Sequence, residues 1–481
     1  MGEELRVSVM ERVRATAVRK VAACMTFVML ASSAGVVLGD IEVRDPGVRG
    51  GTIDAGQPLA SVAQTPGATD FFNNGLSRFL NVEVVQGGIN NGLGPRFNTN
   101  QCASCHAQPS TGGTSPSMSA FPFVGQNPEV QFANSFNTLP SFITPNGPVR
   151  EARFKFFLNS NGSLSSTTDG GVHDLFVITG RADAGACSIQ QPAFAHNLAL
   201  QNVIFRIPTP VFGAGLIENI ADETILANMN ANGRAKNQLN ITGHPNRDGN
   251  DGAIARFGWK AQNKSLEMFA GEAYNVEMGV TNELFQNERS SPDEAQQGGL
   301  PANCRINPTP EDASNMTASP DYAVPSDIVQ FAMFMRLLAP PTPSSTNPGG
   351  ANSIANGSQV FNNVGCALCH TPALTTAPSF ITPGLGPGTA NLFSDLLVHH
   401  MGTNLADGVS QGTAGPDEFR SAPLWGLGQR VFLLHDGRTT DLLDAIREHA
   451  SSGSEANGVI HNFNQLSQQQ QQNLLNFLRS L

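Results

Sequence analysis

Charge is the first thing this chain is short of. Only 14 % of its 481 residues are Asp, Glu, Lys or Arg, lysine is scarce, and the net charge is −11. A polyanionic partner needs a basic face, so nucleic-acid binding is excluded. Tryptophan and tyrosine number two each. Long apolar runs are also missing, with one exception near the N-terminus. Gly, Pro, Asn and Ser are abundant instead, which predicts long ordered loops between modest helices. The length allows two sizeable domains that need no special staples.

The exception, Val21 to Gly39, follows Arg12, Arg14, Arg19 and Lys20. Basic residues before a short apolar stretch with small residues near its end (Ser32 and Ala34, or Val37 and Gly39) read as a cleaved export signal over 1–39. An uncleaved anchor is the competing reading, because the run is almost long enough to span a bilayer. Nothing else in the chain can span one. The expectation is a periplasmic protein with no stable membrane span once the signal is removed.

Seven cysteines remain to be placed. Cys24 falls within the signal. Four lie in two copies of one pattern, QCASCH at 101–106 and GCALCH at 365–370. C-x-x-C-H is the attachment signature of c-type haem. Two thiols must reach the two vinyl groups of one porphyrin, and residues i, i+3 and i+4 share a helical face. Cys102 and Cys105 would hold one haem and Cys366 and Cys369 a second, with His106 and His370 ligating the two irons. A zinc knuckle would need further ligands beside each pair. A redox C-x-x-C leaves the repeated histidine unexplained. Cys187 and Cys304 are left over, and in an oxidising compartment a disulfide between them is plausible.

The stretch APPTPSSTNPGG reads as a linker over 339–350, between an N-terminal haem domain (40–338) and a C-terminal cytochrome c-like haem domain (351–481). Ser326 is the expected cap of a helix DIVQFAMFMRLL. ANSIANGSQVFNNV resembles the leading helix of a cytochrome c fold. LSQQQQQNLLNFLRSL at 466–481 reads as the closing helix, capped by Ser467, with Leu474, Leu475, Leu478 and Leu481 as its buried stripe. ARFKFFLNS and LFVITGRA suggest strands inserted between 150 and 210. The fold class expected is mainly α, with two cytochrome c-like haem domains and some β-strand in the first.

Several phrases resemble the di-haem oxidoreductase branch, described as peroxidases or thiol oxidoreductases, of the bacterial di-haem cytochrome c peroxidase superfamily. They are GLGPRFNTNQCASCH, TPVFGAGLIENI, RFGWKA, EMGVT, DLLVHHMGTNLADG and APLWGLGQRVFLLHDGR. The resemblance implies a catalytic carboxylate at Glu277, in VEMG, which takes a proton from one peroxide oxygen and delivers it to the other. It implies a tryptophan between the haems, here Trp259. It also implies a methionine ligand to the second iron, but His449 stands at that position. Imidazole in place of a thioether lowers the reduction potential. Met401, His399 and His400 compete with His449 for the role. His449 lies on the apolar face of DLLDAIREH, a helix that Thr439 or Thr440 is expected to cap. His435 is expected as a pocket residue near that haem.

The sequence departs from the pattern in three places. Phe269 replaces a glutamine, removing a hydrogen-bond donor from the reactive pocket. RVF at 430–432 replaces the segment that helps bind a calcium ion between the haems, so that calcium is not carried over. No histidine closely follows His106, so the sixth position of the first iron is open, or filled by Met118, His173 or His196. The function implied is electron transfer from a small electron-donor protein or quinone-linked cytochrome, through the C-terminal haem, to the N-terminal haem. There a small-molecule oxidant such as hydrogen peroxide is reduced. The alternatives are a non-catalytic electron carrier and an oxidase of an organic or thiol substrate.

Overall fold

Helix pairs crossing at a glycine build two hydrophobic cores. A computed structural model describes residues 42–50, 54–116, 127–317 and 324–481; the expected signal segment and Met118 lie outside them. In the first core, the Ala68–Phe79 helix crosses Asp327–Leu337, with Leu266–Met278 packed against the second of these. Phe79 lies 5.0 Å from Phe334 and 6.2 Å from Phe331, ring centre to ring centre, and Tyr274 packs edge-on against Phe331 at 5.1 Å. Burying one such ring contributes about 1.5–3 kcal/mol. A Cβ on Gly75 would sit 2.4 Å from the Gln330 carbonyl oxygen, so only glycine permits this crossing.

The second core repeats the device. Ala351–Val364 packs on the closing helix Gln468–Ser480. A Cβ on Gly357 would meet the Asn473 carbonyl and the Phe477 side chain. Phe361, Phe393 and Phe477 interlock at 5.5–5.9 Å. The expected leucine stripe is buried, and Ser467 forms a reciprocal capping box with Gln470.

Two other caps differ from expectation. Ser326 precedes its helix but makes no side-chain cap bond. The Asp312 carboxylate, from a preceding loop, accepts from Asp327 N and Ile328 N instead. In the Leu442–Glu448 helix the cap is Asp441, which accepts from Leu443 N and Asp444 N, while Thr439 accepts from Asp441 N. In both places a carboxylate suits the positive helix end better than a hydroxyl.

Fourteen α-helices and eleven short strands are found among the described residues. The 150–210 segment does contain strands. Glu151–Phe154 is the centre of a three-stranded antiparallel sheet, flanked by Val172–His173 and Val203–Arg206. Four more strands occur beyond residue 370, where none was expected: Leu374–Thr376, Gly388–Ala390, Val398–His400 and Glu418–Arg420. Each is only three residues long, too short for an alternating pattern to register.

Residues 42–481 form one compact unit. The 339–350 stretch is tied down by hydrogen bonds from Ala339 N to Gln57 O at 2.9 Å and from Ser344 N to Ser480 O at 2.7 Å. Arg479, fully buried, pairs with Asp45 at 2.5 Å and donates to Arg430 O. The expected Cys187–Cys304 disulfide is present. No helix among the described residues is long and apolar enough to cross a membrane.

Candidate functional site

Each C-x-x-C-H segment is a single tight turn at the wall of a cavity. Cys102–Cys105 is one helical turn closed by His106 N to Cys102 O at 3.1 Å. In the second copy His370 N reaches Cys366 O at 2.9 Å. The four cysteines are unpaired. Burial pushes the Cys366 thiol up to about 12 and raises Cys102 and Cys105 too.

Three histidines share one arrangement. His106 Nδ1 donates to Gly113 O at 3.0 Å, His370 Nδ1 to Phe393 O at 3.1 Å, and His449 Nδ1 to Ala445 O at 2.7 Å. A carbonyl only accepts, so the proton is on Nδ1 and the lone pair on Nε2. Burial lowers all three, His106 and His370 to about 4, which keeps the rings neutral as an iron ligand requires. His106 borders the first cavity, of about 1080 Å³. His370 and His449 both border the second, of about 1460 Å³. Each cavity thus offers two free thiols and a lone-pair imidazole, the donor set that a haem takes.

The rival ligands separate on geometry. His399 has both ring nitrogens engaged, by Asp395 at 3.0 Å and Glu455 at 2.8 Å, so it has no lone pair to give. His400 is half-exposed and paired with Asp417 and Glu418. Met401 borders the second cavity beside His449. Neither His173 nor His196 borders the first cavity. His173 stacks on Phe154 and bonds Asp169; His196 bonds Gly162 O.

Trp259 borders both cavities. Its indole Nε1 donates to Ile207 O at 2.8 Å, and Ile207 N donates to His435 O at 2.8 Å. His435 is buried, stacked on Phe419 at 4.3 Å, and lowered to about 4 by burial. It borders the second cavity.

Glu277 borders the first cavity. Asn98 Nδ2 donates to Glu277 Oε2 at 2.7 Å. Burial, and then the neighbouring Glu151 carboxylate, push Glu277 up to about 8, and its carboxyl is hydrogen-bonded to Glu151. Burial works against ionisation of Glu151 too, but Arg153, bonded at 2.6 Å, and Arg206 outweigh it and hold Glu151 below its usual range. The sheet makes this cluster: Glu151 and Arg153 alternate onto one face, and Arg206 is the register partner of Glu151.

Sequence reasoning missed Glu151, Arg153, Arg206 and Gln262, all at this cavity. Charged residues at i and i+2 of an otherwise apolar strand were the available signal for the first two. Phe269 borders the cavity, and so does Gln262, whose buried Oε1, an acceptor, has no hydrogen-bond partner.

Two cavities, each walled by a cysteine pair and a neutral imidazole, share one indole. The chain matches the family described as "Di-haem oxidoreductase, putative peroxidase" over residues 154–481. It belongs to that family, and is therefore a haem-containing oxidoreductase with two haems. No curated protein matches the chain. Among solved structures, a chain of Kuenenia stuttgartiensis hydrazine synthase pressurised with 20 bar xenon is similar at 13 % identity. That match covers 92 % of this chain and 98 % of the other with a TM-score of 0.34, too weak a likeness to carry an argument.

Proposed function

We propose that this is an exported di-haem c-type oxidoreductase that reduces a small oxidant, hydrogen peroxide foremost, in the first cavity. Cys102 and Cys105 would fasten one haem and Cys366 and Cys369 the other, with His106 ligating the first iron and His370 and His449 the second. Bound there, the haems supply one-electron redox chemistry. The observation that carries the reading is Trp259, which borders both cavities and is hydrogen-bonded to the peptide that joins it to His435. Electrons from a small donor protein or quinone-linked cytochrome enter on the His370/His449 side and leave on the His106 side.

The reaction consumes one peroxide, two electrons and two protons and yields two waters. At neutral pH Glu277 holds a proton and Glu151, fixed by Arg153, does not. An acid and a base therefore stand one hydrogen bond apart. Glu277 protonates the departing oxygen, which leaves as the first water, and the ionised Glu151 accepts the proton that the other oxygen loses; the two electrons, with two protons from solvent, convert that oxygen to the second water. Gln262 has an amide available to orient the oxidant. The disulfide supports an oxidising compartment, as does covalent haem attachment. The matching glycine crossings at Gly75 and Gly357 support two haem lobes, 40–338 and 351–481.

Adding peroxide to the reduced holoprotein while recording both haem spectra tests this reading. Rapid reoxidation with turnover is expected. A silent spectrum points to the non-catalytic carrier, which Phe269 on the cavity wall favours, or to an organic or thiol substrate.

A further inference from the structure

Two buried guanidinium groups form no ion pair, and the one carboxylate that acts on either, Asp395 on Arg420, does so without a direct contact. Arg420 is 8 % exposed and Arg430 is 9 % exposed. Among the described residues neither forms an ion pair, and the hydrogen bonds they donate go to backbone carbonyls: Arg420 to Gly258 O and Ser421 O, Arg430 to Pro423 O. Burial lowers both to about 10, and for Arg420 the positive charge of Arg430 adds to the effect. The two groups line the same walls. Several other buried arginines are paired, Arg206 with Asp407, Arg256 with Asp222, Arg336 with Glu218 and Arg479 with Asp45, while Arg49 donates to main-chain oxygens alone.

An isolated buried cation costs several kcal/mol, and two side by side cost more. Such a pair persists where an anion completes it. Both side chains border the second cavity, together with Cys366, Cys369, His370 and His449. Both also border a smaller cavity of about 510 Å³ that Trp259 shares. A c-type haem held by those cysteines carries two carboxylate side chains on the porphyrin edge opposite its vinyl groups. Guanidinium binds carboxylate through two parallel hydrogen bonds.

We propose that Arg420 and Arg430 are the binding site for the two porphyrin carboxylates of the second haem. Two cations meet two anions in a wall where neither guanidinium has an ion-pair partner, and the carboxylate edge of that haem faces the Trp259 side of its cavity. The inference rests on haem occupancy of the second cavity. It goes beyond that occupancy by fixing how the macrocycle is oriented.

The test uses the full-length holoprotein with Arg420→Gln, Arg430→Gln and Arg430→Lys, and Arg336→Gln, which borders none of these cavities, as the control. Haem content per chain is measured first. Fewer than two haems in the unaltered protein contradicts the functional reading and leaves the arginine pair without its ligand. With two haems present, the reduction potential of the second haem is measured. Removing a cation beside the haem disfavours the electron, so both glutamine variants are expected to have a lower potential. Arg430→Lys restores most of the shift, and Arg336→Gln leaves the potential unchanged. An unchanged potential in both glutamine variants overturns the proposal. So does a potential of the unaltered protein that responds to millimolar chloride or phosphate and loses that response in the variants, because the pair then serves a free anion. If a variant takes up no haem, the infrared carboxylate bands of the unaltered holoprotein decide. Bands of guanidinium-paired carboxylates support the assignment, and bands of solvated ones overturn it.

Discussion

The rings of Trp259 and His435 stand edge to face, 6.3 Å apart, and the peptide of Ile207 bonds to both residues. One donated bond comes from the indole and one goes to the His435 carbonyl, so a single backbone segment fixes the wall between the cavities. Trp259→Phe keeps the ring and loses the indole bond. The expected outcome is a stability loss of about 0.5–1.5 kcal/mol, read from a denaturant midpoint. Transfer of electrons from the second haem to the first should slow, as followed by stopped-flow spectroscopy, with haem content unchanged. Unaltered transfer would remove Trp259 from the path.

Glu277→Gln should lower peroxide turnover by roughly 10²–10⁴-fold, the usual worth of a positioned proton donor. Both haem spectra should stay as they are. Asn98→Ala removes the amide that orients Glu277 and also the acceptor of Leu175 N; it should cost less turnover, together with some stability.

The pH profile of peroxide reduction follows from the same pair. Glu277 must carry a proton, and its value is raised to about 8, so activity should fall as the pH rises through about 8. Glu151 must be ionised and is held below the usual carboxylate range, so the acid limb lies below that range. Stability carries the matching sign for Glu277. A carboxyl raised from 4.5 favours folding at low pH, and that contribution is lost as pH rises towards about 8.

His399 sits between Asp395 and Glu455, and all three side chains are no more than 7 % exposed. Removing the cation leaves two carboxylates buried side by side. His399→Leu should therefore cost about 3–5 kcal/mol, measured by thermal or denaturant unfolding. Retention of full stability would mean that one of the carboxylates is protonated in the native protein.

Gly75→Ala tests the first helix crossing. The new methyl group would meet the Gln330 carbonyl at 2.4 Å, and backbone cannot yield as a side chain can. A loss of about 1–3 kcal/mol is expected, appearing as a lower melting temperature.

The parts legible in the sequence were those with a local signature. The C-x-x-C-H turns, the Asp327–Leu337 helix, the closing helix with its Ser467 cap and the strands after residue 150 follow from spacing and periodicity within a few residues. What escaped depends on distant partners. Asp312 caps a helix that begins fifteen positions later, and Glu455 reaches His399 from another loop. Arg206 meets Glu151 only because two strands pair across a long connection. Gln262 comes to the first cavity because the chain turns sharply after Gly258, with Ala261 held at a φ of 50°. None of these has a pattern within a single window of residues.

The account stands on iron porphyrin joined through thioether bonds to both cysteine pairs. Intact mass spectrometry of the exported, denatured protein measures this directly. The account predicts a mass increase of two haem groups per chain, lost from one site in Cys366→Ser and from the other in Cys102→Ser. A chain that leaves denaturant with one haem or none contradicts it.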